Sequence, residues 1–313
     1  MLTFIIRRTF IAIPTLWITL TVIFLLVRVI PGDPASVIMG SYISEENLKV
    51  LKKQMGLDQP LIVQYLHYLR DFSRLNFGKS LITGAPVIQE IKTALPHTLE
   101  LTFGGIFIGI VTGIPLGLLL ALKRNSLVDY LGRFFSLGGI SFPVFYTAIL
   151  LMLIFSIKLD LFPTMGVGKE GDFGSRIHHL ILPSLTLGLL MMSYLTRITR
   201  SATLDVLNED YVRTAYAKGL REKKVIFKHI FKNASIPVVT VLGIYTGILI
   251  GSSVVTEIIF HRPGLGSLIV GAMLNRDYIV ITSVMTLYAA IVILINLITD
   301  LSYALIDPRV RLS

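Results

Sequence analysis

The chain contains no cysteine, and among its 313 residues only 15% are charged. The first absence excludes disulfides, thiolate metal sites and cysteine nucleophiles. The second is too large for a soluble domain of this length, because such a domain carries about 25% charged residues. With 53% hydrophobic residues and a mean hydropathy of +0.75, the composition is that of an integral membrane protein.

Acidic residues are also scarce, since 19 Asp and Glu stand against 29 Lys and Arg. In a soluble protein the net charge of +10 would suggest a nucleic-acid partner. Here the basic residues gather between apolar runs, as they do on the cytoplasmic loops of inner-membrane proteins. We therefore expect contact with membrane lipid and no binding of nucleic acid.

Histidine is sparse and scattered, with six residues that show no metal-ligand spacing, so no metal site is predicted. The phosphate-binding pattern Gly-x-x-x-x-Gly-Lys-Ser/Thr is absent as well. We accordingly expect no cofactor in this chain and no ATP binding by it.

Six apolar runs are long enough to cross a bilayer, which requires roughly 20 residues. The first is read as an uncleaved anchor, because its 21 or so apolar residues exceed the length of a signal-peptide core. Loop charges place both termini in the cytoplasm. The predicted fold is therefore an all-α integral membrane protein with six transmembrane helices. The runs are residues 9–30, 98–122, 134–157, 179–198, 235–258 and 279–303.

The polar residues between the first two runs predict an extracytoplasmic insertion. Leu61, Tyr65, Leu69 and Phe72 recur there at helical spacing, so the insertion is expected to be helical. The predicted division is as follows: 1–30 as the N-terminus and first helix, 31–96 as the insertion, 97–303 as a five-helix core with a cytoplasmic loop at 199–233, and 304–313 as a cytoplasmic tail.

Two of the runs carry a glycine at every fourth position. This spacing puts the glycines on one helix face, where another helix can approach closely. Helix contact is the main interpretation, with pore lining as the alternative for part of the second stripe. Asp300 is added to the interface set, with a functional role as the alternative, because an acid in a span faces the bundle interior or a partner. The glycines are Gly105, Gly109, Gly113, Gly117, Gly243, Gly247 and Gly251.

Three residues are candidates for the transport pathway or its gate. Met192 and Tyr245 lie within spans, where an adaptable or aromatic side chain can line a permissive channel, although core packing or lipid contact also explains them. Glu257 ends the fifth span, where it could contact a partner, contribute to an outer gate or be solvated.

Nine Lys and Arg lie from Arg197, at the end of the fourth span, through the following loop to Lys232. Val212 and Ala215, and then Val225 and Ile230, fit two short amphipathic helices, with Gly219 between them as a chain reversal requires. Such a loop could be a membrane-surface element, a lipid-headgroup site or a docking element for a cytosolic protein.

The loop sequence 211–219, with Asn233-Ala234 and Pro237 after it, closely resembles the coupling loop of ABC-importer permeases. Specifically, the chain is similar along its whole length to the B-type permease of the dipeptide, oligopeptide and nickel importers. Arg213-Thr214-Ala215 stands where the wider family has Glu-Ala-Ala, so no role of that glutamate is carried over. Further matching pieces, in order, are 30–34, 56–60, 77–78, 182–184, 263–266, 276–278 and 307–309.

The resemblance implies an importer subunit that works with other chains. The partners would be a second similar permease, two cytosolic ATPases that bind ATP and Mg²⁺, and an extracytoplasmic binding protein. The chain itself would be a non-catalytic half of the pore in the bacterial or archaeal inner membrane. The implied ATPase-coupling residues are Tyr211, Arg213, Thr214, Ala215, Ala217, Lys218, Gly219, Arg221 and Lys224.

The expected solute is a dipeptide or oligopeptide, with nickel complexes and glutathione as alternatives within the same architecture. Two other classes of protein compete with this interpretation. A secondary transporter would show inverted repeats and interior charges on broken helices, and an intramembrane enzyme would require a nucleophile with a base, or paired carboxylates. Neither pattern is clear in the sequence.

Overall fold

The computed structural model describes residues 2–29, 53 and 58–306. The predicted pieces at 30–34 and 307–309 therefore lie outside the described residues, as do most of the insertion before Asp58 and the end of the tail. The described residues are helical apart from connecting segments and a single β-bridge between Lys79 and Pro86. The predicted all-α class is confirmed.

The helices follow one another along the chain with few long connections. They are α1 (Leu2–Val29), α2 (Leu61–Ser73), α3 (Val87–Leu122), α4 (Leu127–Ser141), α5 (Val144–Leu151, continued by the π-helix Met152–Lys158), α6 (Phe173–Leu207), α7 (Asp210–Ala217), α8 (Glu222–Lys224, continued by the π-helix Val225–Phe231), α9 (Lys232–Ile259), α10 (Leu265–Leu274) and α11 (Tyr278–Ile306).

Five of the described helices or helical runs are long and apolar enough to cross a membrane, and the pair α4–α5 raises this to six if it forms one span. That pair stands where the apolar run 134–157 predicts a single third helix. The two helices meet at a bend of 107°. Phe142 is extended (ψ 132°) and Pro143 is the N-cap of α5, because proline disfavours a helical residue before it and lacks an N–H.

Several helices are longer than their apolar runs. α3 starts at Val87, eleven residues before the predicted span, and α6 continues nine residues past residue 198 to Leu207. At 1.5 Å per residue, the 35 residues of α6 are about 52 Å long, well beyond the roughly 30 Å of hydrocarbon. Asp172 caps the start of α6 by accepting from the Ser175 N–H at 3.0 Å.

The chain divides into two compact units, each built from separate stretches of sequence. In the unit formed by residues 1–8, 98–262 and 295–313, α6 is central and packs against α4, α5 and α9. Leu187, Met191 and Leu195 of α6 are buried in its core with Leu101 and Leu249.

The unit formed by residues 9–97 and 263–294 contains α2, α10 and parts of α1, α3 and α11. The predicted helix at the end of the insertion is confirmed as α2. It is tied to α1 by Tyr65, whose hydroxyl lies 2.6 Å from that of Thr21, and to α11 by Tyr68, whose hydroxyl lies 2.7 Å from that of Thr286. Asp277 is buried and accepts from Ser80 Oγ at 2.6 Å.

Candidate functional site: the coupling loop

The segment between α6 and α9 is a folded loop with its own small hydrophobic core. Val212 and Ala215 of α7 are buried against Val225 and Ile230 of the following helical segment. Val206 and Leu207, the last residues of α6, pack against the same cluster. The first predicted amphipathic helix is confirmed as α7, whereas the second is not separate, because it runs without a break into α9 as the helical stretch Glu222–Ile259. The shared core joins the loop directly to the end of α6.

Gly219 makes the reversal between these two helices. Its φ is +71°, which side chains rarely adopt, and an added Cβ would meet nothing within 4 Å. The Gly219 N–H donates to the Tyr216 carbonyl at 2.9 Å, which closes the end of α7. The loop is closed on its other side by Asn233, whose Nδ2 donates to the Tyr211 hydroxyl at 2.8 Å.

Nearly all of the predicted coupling residues lie on the outside of this loop. Ala215 is the exception, because its side chain belongs to the loop core with 4% exposure. The others are free to meet a partner protein, which is what a docking surface requires, but their role stays a prediction. The exposed residues are Tyr211, Arg213, Thr214, Ala217, Lys218, Gly219, Arg221 and Lys224.

The candidate pathway residues have different surroundings. Tyr245 of α9 stacks on Tyr194 of α6 with ring centroids 3.7 Å apart, and the guanidinium of Arg197 lies 5.9 Å from the Tyr194 ring. Met192 is half-buried on α6, with its backbone against Gly113.

Glu257 is completely buried, so the interpretation as a solvated residue does not hold. Its Oε1 accepts from Thr98 Oγ1 at 2.7 Å, which links α9 to α3. Arg262, also buried, follows in the next loop, where its Nη2 lies 3.8 Å from Glu100 Oε2. Burial lowers the pKa of the Arg262 guanidinium, whereas Glu100 and Glu257 raise it.

Arg176, in the first turn of α6, forms an ion pair with Glu100 of α3. Arg262 Nη1 also donates to the Gly166 carbonyl at 3.4 Å, and Gly166 N–H donates to the Phe260 carbonyl at 2.9 Å. These contacts fasten α3, α6 and α9 together at the end of α6 that lies farthest from the coupling loop.

The first glycine stripe is a helix contact. A methyl group added at Gly113 would lie 2.8 Å from the Met192 carbonyl oxygen, and one at Gly117 would lie 2.6 Å from that of Thr196. Gly105 and Gly109 meet Leu187 and Met191 of α6 in the same way.

The second stripe has a different character. Gly243 is closed in by Thr299 of α11, whereas an added Cβ at Gly251 would meet nothing within 4 Å. The structure does not describe the side chain of Asp300, so its predicted place at a helix interface is untested, and that of Gly247 stays a prediction too.

Comparison with known proteins decides the family. Residues 113–312 match the model of the binding-protein-dependent transport system inner membrane component, and residues 1–102 match the model of its N-terminal region. The chain belongs to this family. It is thus a multi-pass permease subunit of an ABC importer in the bacterial inner membrane, as the resemblance in the sequence indicates.

Two similar proteins are named for glutathione transport. The glutathione transport system permease protein GsiC of Salmonella typhimurium is 42% identical over 311 residues, with 99% of each chain covered. The protein of the same name from Escherichia coli K12 is 41% identical over the same share of both chains. Glutathione is among the alternatives that the sequence analysis keeps.

Among solved structures, an inward-facing conformation of the MetNI methionine ABC transporter superposes on the permease with a TM-score of 0.61. It covers 71% of this chain and 98% of the other at 18% identity, so the likeness shows the fold.

The sequence analysis missed a buried ion pair in the permease. Asp129, at 0% exposure, is held by Arg200 with Nε–Oδ1 and Nη2–Oδ2 distances of 2.7 and 2.8 Å. A lone acid at the edge of an apolar run is a usable signal, because buried acids are almost always paired. The sequence could not have named the partner, which lies 71 residues away.

Proposed function

We propose that this permease forms half of the translocation pathway of an importer for glutathione, which is itself a short peptide. The proposal is supported by the relatives, which are named for glutathione and are 41–42% identical over 99% of the chain. Dipeptides and nickel complexes are the alternative solutes for the same architecture.

The structural observation that carries the coupling part of the proposal is the folded loop after α6. It has a core of its own, exposed residues on its outside, and a direct connection to α6 through Val206 and Leu207. A loop built in this way can receive a force without unfolding. We propose that a cytosolic ATPase binds the exposed face of residues 211–224.

The remaining parts of the proposal concern assembly and orientation. The permease pairs with a second permease, two ATPases that bind ATP and Mg²⁺, and an external binding protein. Its termini and its coupling loop lie in the cytoplasm, in accord with the nine Lys and Arg from Arg197 to Lys232. It carries out no catalysis, because hydrolysis of ATP takes place in the partner chains.

The test is uptake of labelled glutathione, a labelled dipeptide and nickel by bacteria that lack their own glutathione importer. The permease is expressed with its partner subunits, and the control is the same set with an ATPase that binds but does not hydrolyse ATP. We expect glutathione uptake that requires the permease and an active ATPase. Uptake of only the dipeptide or nickel would overturn the solute, and uptake with the inactive ATPase would overturn the coupling.

A further inference from the structure

The end of α6 nearest the coupling loop is fastened to the first turn of α4 by charge. Asp129 lies three residues after Ser126, whose hydroxyl accepts from the Asp129 N–H and so begins α4. The Asp129 carboxylate is fully buried and receives both guanidinium nitrogens of Arg200. A two-pronged contact of this kind fixes orientation as well as distance.

Other donors complete the surroundings of this carboxylate. The Asn125 N–H donates to Asp129 Oδ2 at 3.1 Å, and Arg133 Nε lies 3.4 Å from Oδ1, one turn along α4. The carboxylate also lies at the positive end of the α4 dipole. With two arginines and one backbone donor around it, the acid is held in one position.

Arg200 is close to the coupling loop along an unbroken helix. Leu207, the last residue of α6, follows Arg200 by seven positions, which is about 10 Å of helix. Since Leu207 packs in the loop core with Val212, a displacement of the loop moves the last turns of α6 and Arg200 with them.

The α4–α6 contact is tight beyond the ion pair. Ser136 Oγ of α4 donates to the Ser193 carbonyl of α6 at 3.0 Å. A methyl group added at Gly139 would lie 3.1 Å from the Leu189 carbonyl oxygen. Close backbone approach of this kind leaves no room for sliding, so α4 follows α6 as one body.

We propose that Asp129 and Arg200 are positioning residues that fasten α4 to the coupling-loop end of α6 and remain joined throughout the transport cycle. A displacement produced by the ATPases then passes from the loop through α6 to α4, and beyond the 107° bend to α5. The inference rests on the proposed docking of an ATPase at this loop. Neither residue touches the solute in this role.

The test uses the complete transporter, reconstituted with its binding protein, and the variants D129N, R200Q and D129N/R200Q. R200Q leaves the buried Asp129 carboxylate without its two-pronged partner, and D129N leaves the partly exposed Arg200 without its acid, so both are expected to lower assembly. The double variant removes both charges, so it is expected to assemble and to hydrolyse ATP at the basal rate. The ratio of stimulated to basal hydrolysis is expected to fall about tenfold, a typical coupling effect, and uptake with it.

A second readout separates this role from a defect in docking. The binding-protein concentration that gives half-maximal stimulation is expected to stay unchanged, and so is co-purification of the ATPases. The control is R70Q/D71N, which neutralises an exposed ion pair outside the site and should leave all values unchanged. A double variant with a normal stimulation ratio would overturn the proposal.

If the double variant does not assemble, R200K decides. Lysine keeps the charge but cannot reach both carboxylate oxygens as a fork, so we expect normal assembly and a stimulation ratio lowered several-fold, whereas a normal ratio overturns the proposal. Failure of the docking proposal is distinguished by a separate variant. If no ATPase binds the loop, G219V leaves co-purification of the ATPases unchanged.

Discussion

At the scale of single residues, the backbone conformation of Gly219 determines the shape of the proposed docking surface. Its φ of +71° lies in the left-handed region, with open space where a Cβ would be. A substitution there is therefore a test of backbone conformation alone, since no neighbour is displaced.

We expect Gly219→Val to destabilise the loop by about 1–2 kcal/mol, because a side chain resists positive φ and a β-branched one resists it most. The measurement is co-purification of the ATPases with the permease, which should fall. Gly84→Val is the matched control, since Gly84 has the same φ of +71° and the same open surroundings but lies outside the loop. Equal loss of the ATPases from both variants would contradict the loop's role.

The sequence could not predict which distant residues contact each other. The pattern of apolar residues in α7 and after it predicted the loop core, because helical spacing is a local property. By contrast, the contacts of Asp129 with Arg200 and of Thr98 with Glu257 join residues 71 and 159 positions apart. Only the packing of the helices brings these side chains together.

At the scale of helices, α3 and α6 are in close contact along one face. Four glycines of α3, at every fourth position from Gly105 to Gly117, meet α6 at distances that leave no space for a methyl group. This confirms the packing interpretation of the first stripe and gives it a measurable consequence.

Gly113→Ala is expected to lower the stability of the purified permease by about 1–3 kcal/mol, a typical cost of overpacking. The added methyl would lie 2.8 Å from a backbone oxygen of Met192, which cannot turn aside as a side chain can. Thermal unfolding in detergent measures the effect. Gly251→Ala is the control, because nothing lies within 4 Å of its added methyl; a larger loss there would show that the α3–α6 contact is not the sensitive one.

Helix existence was more predictable than helix geometry. Apolar length located every span, but it could not show that the third one bends by 107°, since hydropathy is the same along a straight and a broken helix. The apolar run predicts only the part of α3 from residue 98 and not its first eleven residues, because polar residues such as Glu90 and Lys92 interrupt the apolar ones there.

At the scale of the whole molecule, the orientation in the membrane follows from charge rather than from the fold. The absence of cysteine makes it directly measurable, since any introduced thiol is the only one in the chain. Lys169, between α5 and α6, and Lys223, in the coupling loop, are exposed on connections that the proposed topology places on opposite sides.

We expect a membrane-impermeant maleimide to label Lys169→Cys in intact spheroplasts and Lys223→Cys only in inverted vesicles, with the permease expressed without its ATPases. The cysteine-free parent is the control for background labelling. The reverse pattern would show that both termini lie outside, and labelling of both variants from one side would contradict the number of spans.

The separate core of the coupling loop has a consequence for how such transporters diversify. Every member of that core lies between Val206 and Ile230, so the loop carries the determinants of its own shape. If an ATPase binds this loop as proposed, exchange of this stretch between relatives would create a chimaera with the ATPase preference of the donor and an unaltered membrane part. The preference for an ATPase partner and the preference for a transported solute would then be able to evolve independently in one polypeptide.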